Sequence, residues 1–168
     1  MGHAHEHADS GVTEYYTPPV IIEAARRTMG VIDLDPASSL VANRVVRAGV
    51  YYDDLADGLV RDWYGKVWLN HPFTRGENHK WINKLIAAYL VGDVTEACCI
   101  TWANIDTDWF KPLLAYPQCF PHGRIHYRQP DGTTKRSAPK GSIITYLGPN
   151  VEAFAREFNL IGTVKVAY

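Results

Sequence analysis

The chain has 168 residues, of which 46% are hydrophobic and 21% charged, a composition that fits one folded domain and excludes a disordered polymer. Its 17 Lys and Arg against 18 Asp and Glu give a net charge of -1. No global positive field therefore attracts a polyanion, and any contact with nucleic acid must be local. The longest stretch without a charged residue covers 112–123, whereas a membrane-spanning helix needs about 20 apolar residues. The sequence predicts neither a membrane span nor a secretory signal.

The N-terminus is rich in histidine. Its first ten residues contain His3, His5 and His7 and no apolar side chain larger than alanine after Met1. A transition-metal site is one interpretation, but alternating histidines without an apolar anchor favour a solvated tail. We predict a flexible N-terminus over 1–12 and assign no metal site to the chain.

The three cysteines are odd in number and lack the spacing of a metal site. Cys98 and Cys99 are adjacent within an apolar run, and Cys119 stands alone. We interpret them as reduced core thiols of a cytoplasmic protein, with a reactive thiol as the alternative.

Helix and strand patterns alternate over the first two thirds of the chain. In order, they predict a helix over 17–29, a strand over 31–34, a helix over 42–46, strands over 49–52 and 66–69, a helix over 81–90, a strand over 97–102 and a short helix over 107–115. This alternation predicts an α/β fold with a mostly parallel sheet.

The pattern changes after Pro121. Residues 123–128 and 142–147, on either side of a turn at 130–132, predict a long antiparallel hairpin. A helix over 151–158 and a strand over 163–167 follow. Neither a repeat nor a linker interrupts the sequence, so we predict a single domain over 13–168.

Polar residues follow three of the predicted strands, at 33–38, 53–58 and 70–73. Ligands of parallel α/β sheets bind beyond the carboxyl ends of the strands. The first two segments supply carboxylates that can accept hydrogen bonds from the amino or hydroxyl groups of a small cofactor. The third supplies an amide, backbone carbonyls and an aromatic ring.

Ordered motifs along the chain resemble the small phage-type DNA adenine-N6 methyltransferases from about residue 14 to residue 147. The motifs are Tyr16-Thr17-Pro18-Pro19, Ile32-Asp33-Leu34-Asp35-Pro36-Ala37-Ser38, Tyr51-Tyr52 before Asp57-Gly58-Leu59 and Trp63, Val67-Trp68-Leu69-Asn70-His71-Pro72-Phe73, and Gly123-Arg124-Ile125. The resemblance implies a Rossmann-like methyltransferase fold, S-adenosylmethionine as methyl donor and adenine in DNA as acceptor. It also implies a phage- or prophage-encoded protein in the cytoplasm of a bacterial host.

The resemblance assigns the cofactor site residue by residue. Tyr16, Thr17 and Pro18 would lie near the methionine part of the cofactor, and Asp57 near its adenine. The turn after the first strand would replace a glycine-rich turn of the cofactor site. Its residues are Asp33, Asp35, Pro36, Ala37 and Ser38.

The catalytic tetrapeptide implied by the resemblance is Asn70, His71, Pro72 and Phe73. Such enzymes generally have Asp, Asn or Ser, then two prolines and an aromatic residue, so His71 departs from the pattern. An exocyclic amine is a poor nucleophile, but Asn70 and the main-chain carbonyl of His71 can accept its two protons and direct its lone pair at the methyl group. Phe73 would stack on the extruded base.

His71 allows two interpretations. Its side chain is either a general base or hydrogen-bond donor to the substrate, or it fills the space of a proline and bonds to a neighbour. Because the carbonyl acceptor remains, we predict slower or narrower catalysis rather than none.

A basic segment follows the predicted site. Arg124, Arg128, Lys135 and Arg136 form a finger that could grip phosphates, and Arg75 is a further candidate. The alternative is a solvated sheet edge protected by its charges. At this size we expect no separate recognition domain, so sequence preference would come from loops, from the hairpin or from a second subunit of a homodimer.

Two other functions compete with methylation. A methyltransferase fold could bind DNA or cofactor without turnover, for which His71 is the main argument. A metal-dependent nuclease is the other, but no ligand spacing supports it.

Overall fold

The computed structural model describes residues 15–134 and 138–166. Within them, helices and strands form an α/β structure around one mixed sheet of seven strands. In chain order the elements are α1 Pro19–Met29, β1 Leu34–Asp35, α2 Leu40–Val46, β2 Val50–Tyr51, β3 Gly65–Leu69, α3 Asn78–Val91, β4 Val94–Trp102, a 3₁₀ helix Lys111–Ala115, β5 Gln118–Pro121, β6 Ser142–Leu147, α4 Val151–Phe158 and β7 Gly162–Lys165. The predicted tail over 1–12 lies outside the described residues.

The helices begin and end where local chemistry requires. Proline occupies the first position of α1, where its missing N–H is no loss, and Gly30 ends the helix at a φ of 85°. Ser39 caps α2, because its hydroxyl oxygen accepts a hydrogen bond from the Ala42 amide over 3.0 Å. Gly92 ends α3 in the left-handed conformation, with a φ of 89°. Residues that begin or end a helix therefore set the lengths of the helices.

The first four strands are parallel. The sheet order is β2-β1-β3-β4-β6-β5-β7, and β1 pairs in parallel with both β2 and β3. From β1 the chain passes to β2 on one side and then returns to β3 on the other. The order of the strands therefore reverses between β1 and β3, which is the place where open α/β sheets bind ligands.

The last three strands form the antiparallel part of the sheet. β6 lies between β4 and β5 and runs antiparallel to both, and β7 runs antiparallel to β5. The predicted pairing of 123–128 with 142–147 is therefore wrong. Arg128 instead forms isolated bridges with Tyr16 and Thr134, while Ile125 and Tyr127 are buried in the core. Long-range burial, rather than the local turn, decides the path of this segment.

Hydrophobic side chains cover both faces of the sheet. Along β4, Cys98 and Ile100 pack with residues of α1 and α4, while Ala97 and Cys99 pack with residues of α3. This alternation is the period of a strand whose two faces are both covered. Cys119 is also buried, and the three thiols are free, as predicted for core cysteines. No helix in the described ranges has both the length and the apolar character needed to span a bilayer.

Candidate functional site

A cleft of about 540 Å³ lies at the carboxyl ends of β1, β2 and β3. We call it the strand-end cleft, and its walls come from 15–17, 35–39, 41–42, 44–46, 52–54, 57–58, 68, 70–72, 74, 128–130 and 132. The volume is within the usual range of small-molecule sites. Many of the predicted site residues line it together, namely Tyr16, Thr17, Asp35, Pro36, Ala37, Ser38, Asp57, Asn70, His71, Pro72 and Arg128.

Other predicted residues lie elsewhere. Pro18 precedes α1, where its carbonyl accepts hydrogen bonds from the first turn. The Asp33 carboxylate accepts a hydrogen bond from the Lys66 amide over 2.8 Å, near the amino end of β3. Arg124 is exposed and lines neither of the clefts described in this subsection. Lys135 and Arg136 fall outside the described ranges.

Asn70 connects the end of β3 to the segment before α1. Its Nδ2 donates to the main-chain carbonyl of Tyr15 over 2.6 Å and to the Thr17 hydroxyl over 3.1 Å. Because a carbonyl oxygen only accepts, the bond to Tyr15 fixes the orientation of the amide. The Asn70 Oδ1 oxygen thus remains an acceptor at the cleft.

Asp35 is a buried carboxyl group in the wall of the strand-end cleft. Only 2% of the residue is exposed, and this burial raises the pKa of Asp35 to about 7. The neighbouring Ser38 side chain and Ala37 amide act against the shift and only partly offset it. Within the described ranges no cation forms an ion pair with Asp35. A ligand with a hydrogen-bond donor would compensate the ionised form.

The loop after β2 packs tightly on the turn after β1. A Cβ atom on Gly58 would lie 1.9 Å from the carbonyl oxygen of Pro36, so only glycine permits this approach. Asp57 beside it has a φ of 51°, and its Oδ1 accepts a hydrogen bond from the Leu59 amide over 3.1 Å. The exposed Asp57 carboxylate is held at the rim by these constraints.

His71 is 1% exposed, and burial lowers its pKa to about 4. Its Nδ1 lies 2.9 Å from the Pro72 carbonyl oxygen, which can only accept, so Nδ1 carries the proton. The Nε2 atom is buried and bonds to no described residue. The ring stacks on Trp81, with centroids 6.4 Å apart. His71 is therefore neutral near pH 7 and a weak base, and its only N–H already has an acceptor.

A second cleft, of about 870 Å³, adjoins the first and shares Tyr15 and Thr74 with it. We call it the aromatic cleft, because the rings of Tyr15, Phe73, Trp102 and Trp109 line it. Phe73 and Trp102 are close neighbours, with ring centroids 4.3 Å apart. The predicted residue Arg75 also lines this cleft, together with Asn78 and Lys140. The tetrapeptide thus contributes Asn70, His71 and Pro72 to one cleft and Phe73 to the other.

Sequence reasoning missed three residues of this region. Tyr15 contacts Phe73, Trp102 and Tyr127, but it precedes α1 without any motif to mark it. Trp102 ends the predicted strand over 97–102, so the rule for parallel strand ends could have identified it. Asn78 had no signal, because nothing local distinguishes it from a solvated helix residue.

Comparisons with known proteins do not assign a family. The sequence matches no protein-family model and no curated protein. In the described ranges, no group of three or more His, Cys, Asp and Glu side chains could hold a metal ion.

The buried Asp35 makes stability depend on pH. Its pKa is about 7 in the folded protein against an ordinary 3.8, so the folded state retains this proton between pH 4 and 7 while the unfolded state releases it. The stability that Asp35 contributes is complete below pH 4 and is lost as pH rises to 7. We expect Asp35→Asn to increase the free energy of unfolding at pH 8 by about 4 kcal/mol, and by little at pH 4.

Urea unfolding at both pH values measures this difference. Asp93→Asn, which changes an exposed carboxylate, is the matched control and should show no such increase. A gain for Asp35→Asn of equal size at both pH values would contradict a buried, titrating carboxyl group.

Proposed function

We propose that this protein transfers a methyl group from S-adenosylmethionine to the exocyclic amine of adenine in DNA, on a Rossmann-like methyltransferase fold. The observation that carries the proposal is the strand-end cleft between β1 and β3, where Asp35 and Asn70 line one cavity. The parallel strands β1 to β4, followed by an antiparallel part, support the fold assignment. On this proposal the protein acts on DNA in the cytoplasm of a bacterial host, as a phage or prophage product.

The strand-end cleft fits the cofactor. Asp35 supplies a desolvated carboxyl group without a cation, and Asp57 supplies a second carboxylate at the rim. These groups would accept hydrogen bonds from the hydroxyl and amino groups of the cofactor, and Tyr16, Thr17 and Ser38 would complete the wall. When bound, S-adenosylmethionine supplies an electrophilic methyl group on a sulfonium.

Asn70 would orient the acceptor amine. Since its Nδ2 is held by Tyr15 and Thr17, its Oδ1 can accept one amine proton without rotating the side chain. The main-chain carbonyl of His71 would accept the other. A fixed acceptor contributes because it costs no reorganisation during the reaction.

Phe73 and the proposed cofactor residues line different, adjoining clefts. Asn70 and Asp35 line the strand-end cleft, while Phe73 lines the aromatic cleft, and Thr74 is common to both. A base extruded from DNA would enter the aromatic cleft and stack on Phe73. Its amine would then face Asn70 from the side opposite the cofactor.

Methyl transfer tests the proposal directly. Calorimetry should show that S-adenosylmethionine binds, and tritiated methyl groups should pass to unmethylated DNA, with N6-methyladenine found by mass spectrometry after digestion. Asn70→Ala should lower the transfer rate by about 10²–10³ because it removes one fixed acceptor. The exposed Asn159→Ala is the control. Absence of both cofactor binding and transfer would overturn the proposal.

Arg75 and Arg128 are the described candidates for phosphate contacts, because each is exposed and lines a cleft. We expect Arg75→Ala and Arg128→Ala each to weaken DNA binding and to reduce the slope of log affinity against log salt by about one. Fluorescence anisotropy with a labelled oligonucleotide measures both quantities. Arg156→Ala on α4, outside both clefts, should leave the slope unchanged. An unaltered slope in the first two variants would remove these arginines from the interface.

A second candidate function is cofactor or DNA binding without turnover, and the observation that favours it is the buried ring of His71. The pKa of the ring is low, and its Nδ1–H already donates to the Pro72 carbonyl. Both observations favour a packing role for the ring over a role in the reaction. We therefore expect His71→Pro, which keeps the main-chain carbonyl, to retain or increase methyl transfer. The tritium assay measures this rate, and thermal unfolding checks that the variant folds. If the wild type transfers methyl groups, a folded His71→Pro protein without transfer would show that the imidazole takes part in the reaction. If neither protein transfers them, binding without turnover is supported.

A further inference from the structure

Asn78 lines the aromatic cleft, and the proposed function gives it no role. It is the first residue of α3 and is 8% exposed. Its Nδ2 donates to the Thr74 carbonyl over 3.4 Å, whereas its Oδ1 is buried and accepts no hydrogen bond from the residues that the structure describes. A buried amide oxygen without a donor destabilises the fold unless a ligand supplies that donor.

The surroundings of Asn78 fit a nucleobase. Phe73, Trp102 and Trp109 present aromatic rings to the same cleft, on which a planar base can stack. Arg75 and Lys140 also line it, are exposed and form no ion pair with a described acidic side chain. Aromatic surfaces beside free cations are the combination with which proteins hold single-stranded nucleic acid.

The target base has no hydrogen-bond donor left for Asn78. Under the proposed function, Asn70 Oδ1 and the His71 carbonyl accept the two amine protons of the target adenine. An adenine in DNA has no other N–H group. On this proposal, the neighbouring nucleotide is the part of the DNA that can supply the donor that Asn78 Oδ1 lacks.

We propose that the aromatic cleft also receives the nucleobase adjacent to the target, and that Asn78 selects it by accepting a hydrogen bond from an exocyclic amino group. Adenine, cytosine and guanine carry such a group. Thymine offers only N3–H, between two carbonyl oxygens that repel Oδ1. This selection rests on the proposed function, because it assumes that Asn70 and the His71 carbonyl accept both amine protons of the target adenine.

Binding to single-stranded oligonucleotides tests the selection without cofactor or turnover. Each labelled oligonucleotide carries one adenine target, with one of the four bases on its 5′ or 3′ side, and anisotropy gives the affinity. At one of the two positions, thymine should bind about tenfold more weakly than the best amino-bearing base. Asn78→Leu should abolish this difference, while Asn83→Leu, an exposed asparagine of the same helix, should keep it.

Asn78→Asp supplies a second variant that retains acceptor oxygens. It should keep the discrimination against thymine while its added charge lowers affinity for every oligonucleotide. Equal binding of all four bases by the wild type, unchanged discrimination in a folded Asn78→Leu protein, or its loss in a folded Asn78→Asp protein would each overturn the selection. Methyl transfer with equal binding of the four bases would contradict only this inference. Discrimination without any methyl transfer would contradict only the proposed function.

Discussion

The geometry of both clefts depends on the side-chain amide of Asn70. Its two hydrogen bonds hold Tyr15 and Thr17 against the end of β3. Between them, Tyr16 exchanges two backbone hydrogen bonds of 2.9 Å with Arg128, and its hydroxyl lies 3.0 Å from that of Ser39. One amide thus fixes a segment that in turn positions the 128–132 loop and contacts the start of α2. The amide thus joins the end of β3 to Tyr15 and Thr17, which line the strand-end cleft, and Tyr15 also lines the aromatic cleft.

Loops rather than strands complete the wall of the strand-end cleft. β1 and β2 contain two residues each, so regular pairing holds little of this edge. Main-chain hydrogen bonds beyond the strands hold this edge instead. The Ser38 amide donates to the Tyr52 carbonyl, and the Tyr52 amide donates to the Asp35 carbonyl. The close approach of Gly58 to Pro36 adds to them. Two loops separated in sequence therefore behave as one surface, which keeps Asp35 away from water.

Local signals made much of this arrangement predictable. Gly30 and Gly92 end helices, and polar residues directly after β1 and β3 indicated the cleft, because backbone conformation and strand direction follow from nearby residues. The antiparallel pairing was not predictable in this way. β5 follows Pro117 and ends at Pro121, where local rules disfavour a strand. Its pairing with β6 and β7 is long-range. The neutral state of His71 depends on burial beside Trp81, which no local pattern reveals.

Two buried carboxyl groups of the described structure have different surroundings. Glu96 is 4% exposed, yet Lys66, Tyr146 and Asn150 lie within 3.0, 2.6 and 3.1 Å of its oxygens. This fold can thus satisfy a buried carboxylate where no ligand is expected. Asp35 is as deeply buried without a cation, and the buried atoms His71 Nε2 and Asn78 Oδ1 have no described partner.

Desolvation without compensation lowers stability, so these groups lower the stability of the protein on its own. Each of them lines one of two adjoining clefts. A ligand that brings donors to Asp35 and Asn78 would recover the lost hydrogen bonds on binding, whereas an apolar ligand would not. The proposed function meets this condition, because nucleosides are rich in hydroxyl and amino groups.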